Sequence, residues 1–202
     1  MGLALLIAGR RPDNIDPNDL DMDLVERKAE PTPSFIVRRC DSPRELPIIV
    51  ESVAQQHGRI DVLDLYDHAG PGRQIMGSAD WVRTDGDRNS RLFGDHLVLG
   101  LRDSLSDTAQ VRLLGCSVAA AGSGSVAGRL LLFKIASLLG GRRVVFGTIK
   151  PLRASDFDIG GLSRAVEMDL LFSSLAAIDG APPSTIDRDR HILEIRRDPP
   201  QV

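Results

Sequence analysis

Two cysteines and four histidines make up the thiol and imidazole inventory of this 202-residue chain. His68 and Cys116 stand at comparable places in it. Each follows a short apolar run of strand type, residues 60–66 and 111–115. Each then opens a stretch of small residues, Ala69-Gly70-Pro71-Gly72 and Ser117-Val118-Ala119. In open α/β sheets, sites gather outside the carboxyl ends of the strands. If these two runs are parallel neighbours, imidazole and thiol face each other across the sheet rim. A Cys/His nucleophilic pair needs that arrangement: the histidine takes the thiol proton and the sulfur attacks a carbonyl carbon. Backbone N–H groups beside Cys116 and His68 would bind the developing oxyanion. The same residue types have a structural use, since cysteine at a strand end is commonly core. Cys40, within Arg38-Arg39-Cys40-Asp41, shares no pattern with a histidine and reads as structural. His57 reads as a helix-end residue, His96 as a helix-surface residue and His191 as part of a strand or loop.

The elements that must position the pair are legible as an alternation of strand and helix. Apolar runs at 3–8, 34–39, 60–66, 111–115 and 144–147 read as strands, with a sixth at 191–195. Residues 42–58 read as a helix with Ser42 as N-cap and Pro43 in the first turn. Leu46, Ile49, Val50 and Val53 form its apolar face, and Gly58 its end. Further helices are expected at 92–105, 126–139 and 164–177, with a weak one at 19–29. Residues 74–77 read as a short hairpin and 80–91 as a flexible polar surface loop near the site, able to act as a lid or an activation segment. Residues 179–187, with two prolines and a glycine, read as a loop. The strands are short and lack alternation, which implies a sheet buried on both faces. The expectation is one domain over 1–202. It is a three-layer αβα sandwich around a mostly parallel sheet of about six strands, with 179–202 loosely attached.

Composition excludes several function classes. Hydrophobic residues at 42% and charged residues at 26% are globular values and exclude wholesale disorder. A net charge of −3 argues against a dedicated nucleic-acid binder, and aromatics at 4% leave no base-stacking platform. Two widely separated cysteines make no disulfide framework and fit a cytoplasmic protein. No Cys/His cluster has zinc spacing, so no metal site is expected. No run of 18 apolar residues is present, so no membrane span is expected. The apolar opening of the chain lacks a basic lead, which makes it a poor signal peptide.

Two segments together carry a family resemblance: Leu65-Tyr66-Asp67-His68-Ala69-Gly70-Pro71-Gly72 and Val111-Arg112-Leu113-Leu114-Gly115-Cys116-Ser117-Val118-Ala119. The chain resembles the caspase-like superfamily of caspases, metacaspases, gingipains, clostripain and CHAT-type proteases. It is most similar to the bacterial caspase-like domain joined to large surface proteins. In that domain a His-Gly-x-x-Gly stretch precedes a hairpin glycine, here Gly77, and a later Gly-Cys-x-x-Ala/Gly segment. The resemblance is strongest over 34–160. Ala69 stands where the family has glycine, with Gly70 one residue later. The resemblance implies a cysteine endopeptidase with His68 as general base and acid and Cys116 as nucleophile. Ala69, Gly70, Gly115 and Ser117 would form the oxyanion and substrate loops. It implies a protein or peptide substrate, no cofactor, and room for an activating partner. Asp156 or Asp158 would line a specificity pocket for a basic side chain, while Arg153 would favour an acidic one. The alternative is a non-catalytic, pseudopeptidase module of the same fold that binds or scaffolds. A dinucleotide fingerprint at Gly122, Gly124 and Gly128 fits poorly. Its glycines begin six residues past Cys116, and Arg142 and Arg143 occupy the place of the ribose-binding acid. Those glycines read instead as loop-shaping or as sites of close helix packing.

Overall fold

The computed structural model describes residues 2–10, 25, 27–29, 31–85, 89–119, 127–163 and 171–173. It is an α/β fold on a six-stranded, mostly parallel sheet. In chain order the strands are β1 (Leu3–Gly9), β2 (Phe35–Cys40), β3 (Ile60–Tyr66), β4 (Ala69–Gly70), β5 (Arg73–Met76), β6 (Ala79–Arg83), β7 (Leu105–Leu114), β8 (Val144–Thr148), β9 (Phe157–Asp158), β10 (Gly161–Leu162) and β11 (Leu171–Ser173). The helices are α1 (Leu46–His57), α2 (Asp95–Leu99) and α3 (Ala127–Leu139). The main sheet runs β11-β8-β7-β3-β1-β2, and only β11 is antiparallel to its neighbour. β4, β5 and β6 form a separate antiparallel sheet, and β9 pairs with β10.

This order follows from the physics of crossovers. β2 to β3 through α1, and β7 to β8 through α3, step the same way across the sheet. Right-handed connections therefore place both helices on one face. Leu46, Val50 and Val53 of α1 and Leu131, Leu132 and Ile135 of α3 accordingly share one core with Leu5, Ile7, Leu63, Leu65, Val111 and Leu113. The connection from β1 to β2 steps the opposite way, and its Val25 and Ala29 lie on the other face. There they pack with Leu6, Tyr66, Leu114, Phe157 and Leu162. Successive residues of β1, β3 and β7 serve opposite faces, so the sheet is buried on both sides, as its unbroken apolar runs require. No described helix is long and apolar enough to cross a membrane.

One polar pair lies inside this sheet. Asp64 and Arg112 are register partners on β3 and β7, and both are buried. The guanidinium clasps the carboxylate through Nε and Nη2. The paired geometry offsets a desolvation cost that neither charge could bear alone.

Several sequence expectations meet corrections. The helix expected over 42–58 begins at Leu46, with Glu45 as its N-cap. Pro47 is the reason: lacking an N–H, it fits only the first turn, and Ser42 instead opens a turn by accepting from Glu45 N. The helix expected over 92–105 shrinks to α2 and a 3-10 turn at Arg102–Ser104. Gly94, at φ 85°, and Gly100, against Pro47, bracket α2. From Leu105 the chain extends to pair with Ile60. The polar loop expected over 80–91 contains β6, whose Trp81 and Val82 are fully buried. The helix expected over 164–177 is overturned at Leu171–Ser173, which are held extended as β11 by antiparallel pairing with β8. The rest of that range, residues 86–88, the loop at 179–187, the strand at 191–195 and most of the helix at 19–29 lie outside the described residues.

Removing one member of the buried pair is expected to cost about 3–5 kcal/mol. Arg112→Met should lower the unfolding free energy read from urea titration by that amount, whereas Asp64→Val/Arg112→Met should regain most of the loss, because no lone charge is left behind.

Candidate functional site

His68 and Cys116 lie just past the ends of adjacent, parallel strands. β3 pairs with β7 so that Tyr66 stands opposite Leu114. The pairing runs one step past the strands, for Asp67 N donates to Leu114 O at 3.2 Å. The loop 67–72 and the loop 115–119 then travel side by side. Gly72 N donates to Val118 O at 3.1 Å, which fastens their far ends together. A β carbon at Gly115 would overlap Ala69 Cβ and lie 2.6 Å from Asp67 O. A glycine is needed before the cysteine because any side chain would push the two loops apart.

Each loop is also fixed from behind. Asp67 is buried, and its carboxylate accepts from His68 N and from Gly77 N, both at 2.6 Å. The same carboxylate fills the space over Gly9, where a β carbon would collide with it. Asp67 thus ties the histidine loop to the end of β1 and to the turn between β5 and β6. His68 O accepts from Ile75 N at 3.0 Å, and Ala69 pairs with Gln74 across β4 and β5. His68 is half-buried, with Nε2 enclosed. Behind the cysteine loop, Thr148 of β8 donates its hydroxyl to Gly115 O and accepts from Ala119 N at 2.9 Å through its carbonyl.

Cys116 is exposed and Cys40 is fully buried. Ser117 has φ 59°, the one non-glycine residue with positive φ among those described. That conformation is costly for a residue with a β carbon and recurs at functional turns. Here the sharp turn follows directly on the thiol. The Cys40 thiol donates to Ser42 O at 2.9 Å. Burial, reinforced by the Glu45, Asp67 and Asp41 carboxylates, pushes it up to about 12.

The other expected site residues are placed as follows. Ala69 and Gly70 form β4, and Ala69 has negative φ, so its methyl group is compatible with the loop. Asp156 closes its own turn by accepting from Arg153 N at 2.7 Å, and Asp158 is exposed on β9. β9 and β10 cover the face that Val25 and Ala29 also cover, with Phe157 set edge-on to Tyr66 at 5.0 Å. Gly128 bears out the close-packing reading, since a β carbon there would lie 2.5 Å from Val118 O. Gly122 and Gly124 lie outside the described residues. Among the described residues no three His, Cys, Asp or Glu side chains gather as a metal site would require. Sequence reasoning missed Asp67 and Thr148. Asp67 was visible only as the residue before His68, and Thr148 reaches Gly115 only through folding. Compared with protein-family models, curated proteins and solved structures, the chain finds no match.

Two outcomes follow from the packing. Gly115→Ala is expected to destabilise by about 1–3 kcal/mol through overpacking. Adding Ala69→Gly should restore part of that, read as coupling between the two substitutions in urea unfolding. For Cys40, a thiol raised in the folded state stabilises the fold in its protonated form. That contribution is complete below the unfolded value of about 8.5 and is lost as pH rises toward the folded value. The stability of wild type should therefore fall more steeply above about pH 8.5 than that of Cys40→Ala.

Proposed function

We propose that the chain is a caspase-like cysteine endopeptidase domain, an αβα sandwich in which His68 and Cys116 act as the dyad. The observation that carries the reading is the side-by-side course of the loops 67–72 and 115–119 at the ends of adjacent parallel strands. The exposed thiol on a strained turn supports it. In the first step His68 accepts the thiol proton and the sulfur attacks the scissile carbonyl carbon. The carbonyl oxygen becomes an oxyanion, held by the backbone N–H of Cys116 together with that of Ala69 or Gly70. Collapse breaks the C–N bond, and His68 gives its proton to the leaving amine. Water, deprotonated by His68, then hydrolyses the thioester and restores the thiol. No cofactor enters these steps. Asp156, Asp158 and Arg153 are the candidates for reading the substrate side chain on its acyl side. Two free thiols fit a reducing, cytoplasmic setting.

Iodoacetamide at pH 6.5, followed by peptide mass spectrometry, tests the dyad without a known substrate. Cys116 should label first, and His68→Ala should slow that reaction about tenfold or more. Cys40 should label only after unfolding. A Cys116 rate indifferent to His68→Ala would mean exposure without activation and would favour the non-catalytic binding module. A peptide chloromethyl ketone that reaches Cys116 faster than iodoacetamide does would add the substrate-binding half of the claim.

A further inference from the structure

A concave surface lies at the rim of the sheet opposite His68 and Cys116. It is a cavity of about 390 Å³ lined by Arg59, Arg102, Asp103, Asp107, Gly141, Arg142 and Arg143. Arg59 precedes β3, Arg102 opens the turn before β7, and Gly141–Arg143 lead into β8. Asp107 lies near the start of β7, nine residues before Cys116. At about 3.3 Å per residue that separates the two sites by roughly 30 Å. The lining is charged throughout apart from one glycine, and guanidinium groups outnumber carboxylates by four to two.

The floor is rigid. Arg143 is buried, and its guanidinium donates to Ser106 O at 2.9 Å, Leu139 O at 2.6 Å, and Arg102 O and Leu105 O at 3.0 Å. Arg142 N donates to Asp107 O at 3.0 Å. These bonds lock residues 102–107 to the turn at 140–143, so the walls are set before any ligand arrives. Asp107 is shared between Arg59 and Arg143, each at 3.6 Å. The Arg59 pair is largely exposed and therefore weak. Arg102 and Arg142 are exposed and have no ion-pair partner among the described residues. Burial, and then the repulsion of Arg102 and Arg59, weaken the hold of Arg143 on its proton despite Asp107. An anion at the mouth would relieve that repulsion.

We propose that this cavity binds a small multivalent oxyanion of the phosphate or pyrophosphate class, held by Arg102, Arg142 and Arg59 over the fixed charge of Arg143. Its size lies within the range of small-molecule sites, and its lack of apolar lining excludes a hydrophobic ligand. Planar guanidinium forks match phosphate oxygens in pairs.

Calorimetric titration of the full chain with pyrophosphate at low ionic strength tests the site. One saturable site is expected, weakened by added salt. Arg102→Ala/Arg142→Ala removes two exposed side chains and should weaken binding by at least about tenfold. Asp107→Asn removes a competing carboxylate and should tighten binding, a change that simple damage to the fold cannot produce. Arg44→Ala, on the turn before α1, should leave it unchanged. Absence of saturable heat, binding unaltered in the double variant, weaker binding in Asp107→Asn, or an equal loss in Arg44→Ala would each overturn the proposal.

Discussion

Parallel pairing of Ile60–Tyr66 with Leu105–Leu114 governs the arrangement of everything else. Because the two strands run the same way, both of their carboxyl ends reach one rim and both of their amino ends reach the other. The loop that follows each strand inherits that neighbourhood. Gly115 then lets the loops close on each other, and the bonds from Asp67 N to Leu114 O and from Gly72 N to Val118 O keep them closed. Within the same pair of strands Asp64 and Arg112 answer each other, so a shift of register would strand a buried charge as well as displace the loops.

Burial separates the two cysteines more sharply than sequence context does. Both follow a β-strand or close one, and both precede a serine by one or two residues. Cys40 ends β2 under the α1 turn, where desolvation holds its proton. Cys116 emerges one residue beyond a buried glycine onto a turn that its own backbone resists. The fold thus keeps one thiol inert and presents the other to solvent.

The two rims carry opposite chemistry. At the carboxyl rim, the described residues include His68, the exposed Cys116 thiol and the buried Asp67 carboxylate, which accepts from two backbone N–H groups. At the amino rim, guanidinium groups crowd around a cavity and a single buried arginine binds the carbonyls that close α3 and begin β7. A cation at a helix C-terminus also suits the helix dipole. The net charge of −3 conceals this local excess of positive charge.

The apolar runs at 3–8, 60–66 and 144–147 determined their strands, because residues buried on both faces have no alternative to a central sheet. The period of Leu46, Val50 and Val53 determined α1, and the placement of His68 and Cys116 after two apolar runs pointed to the candidate site, which the pairing of β3 with β7 brings to one rim. What lay between was decided by tertiary contacts. Val98, Leu101 and Leu105 space as one helix would, yet they come from a short helix, a turn and a strand that serve the same core. Trp81 sits among polar neighbours in sequence and is buried because the hairpin folds back over the sheet. The reach of Asp67 to Gly77, of Thr148 to Gly115 and of Arg143 to Leu105 spans 10 to 38 positions. Such bonds depend on strand order and register, which local periodicity does not encode. Strand identity is a local property of side chains, whereas site geometry is a property of which strands become neighbours.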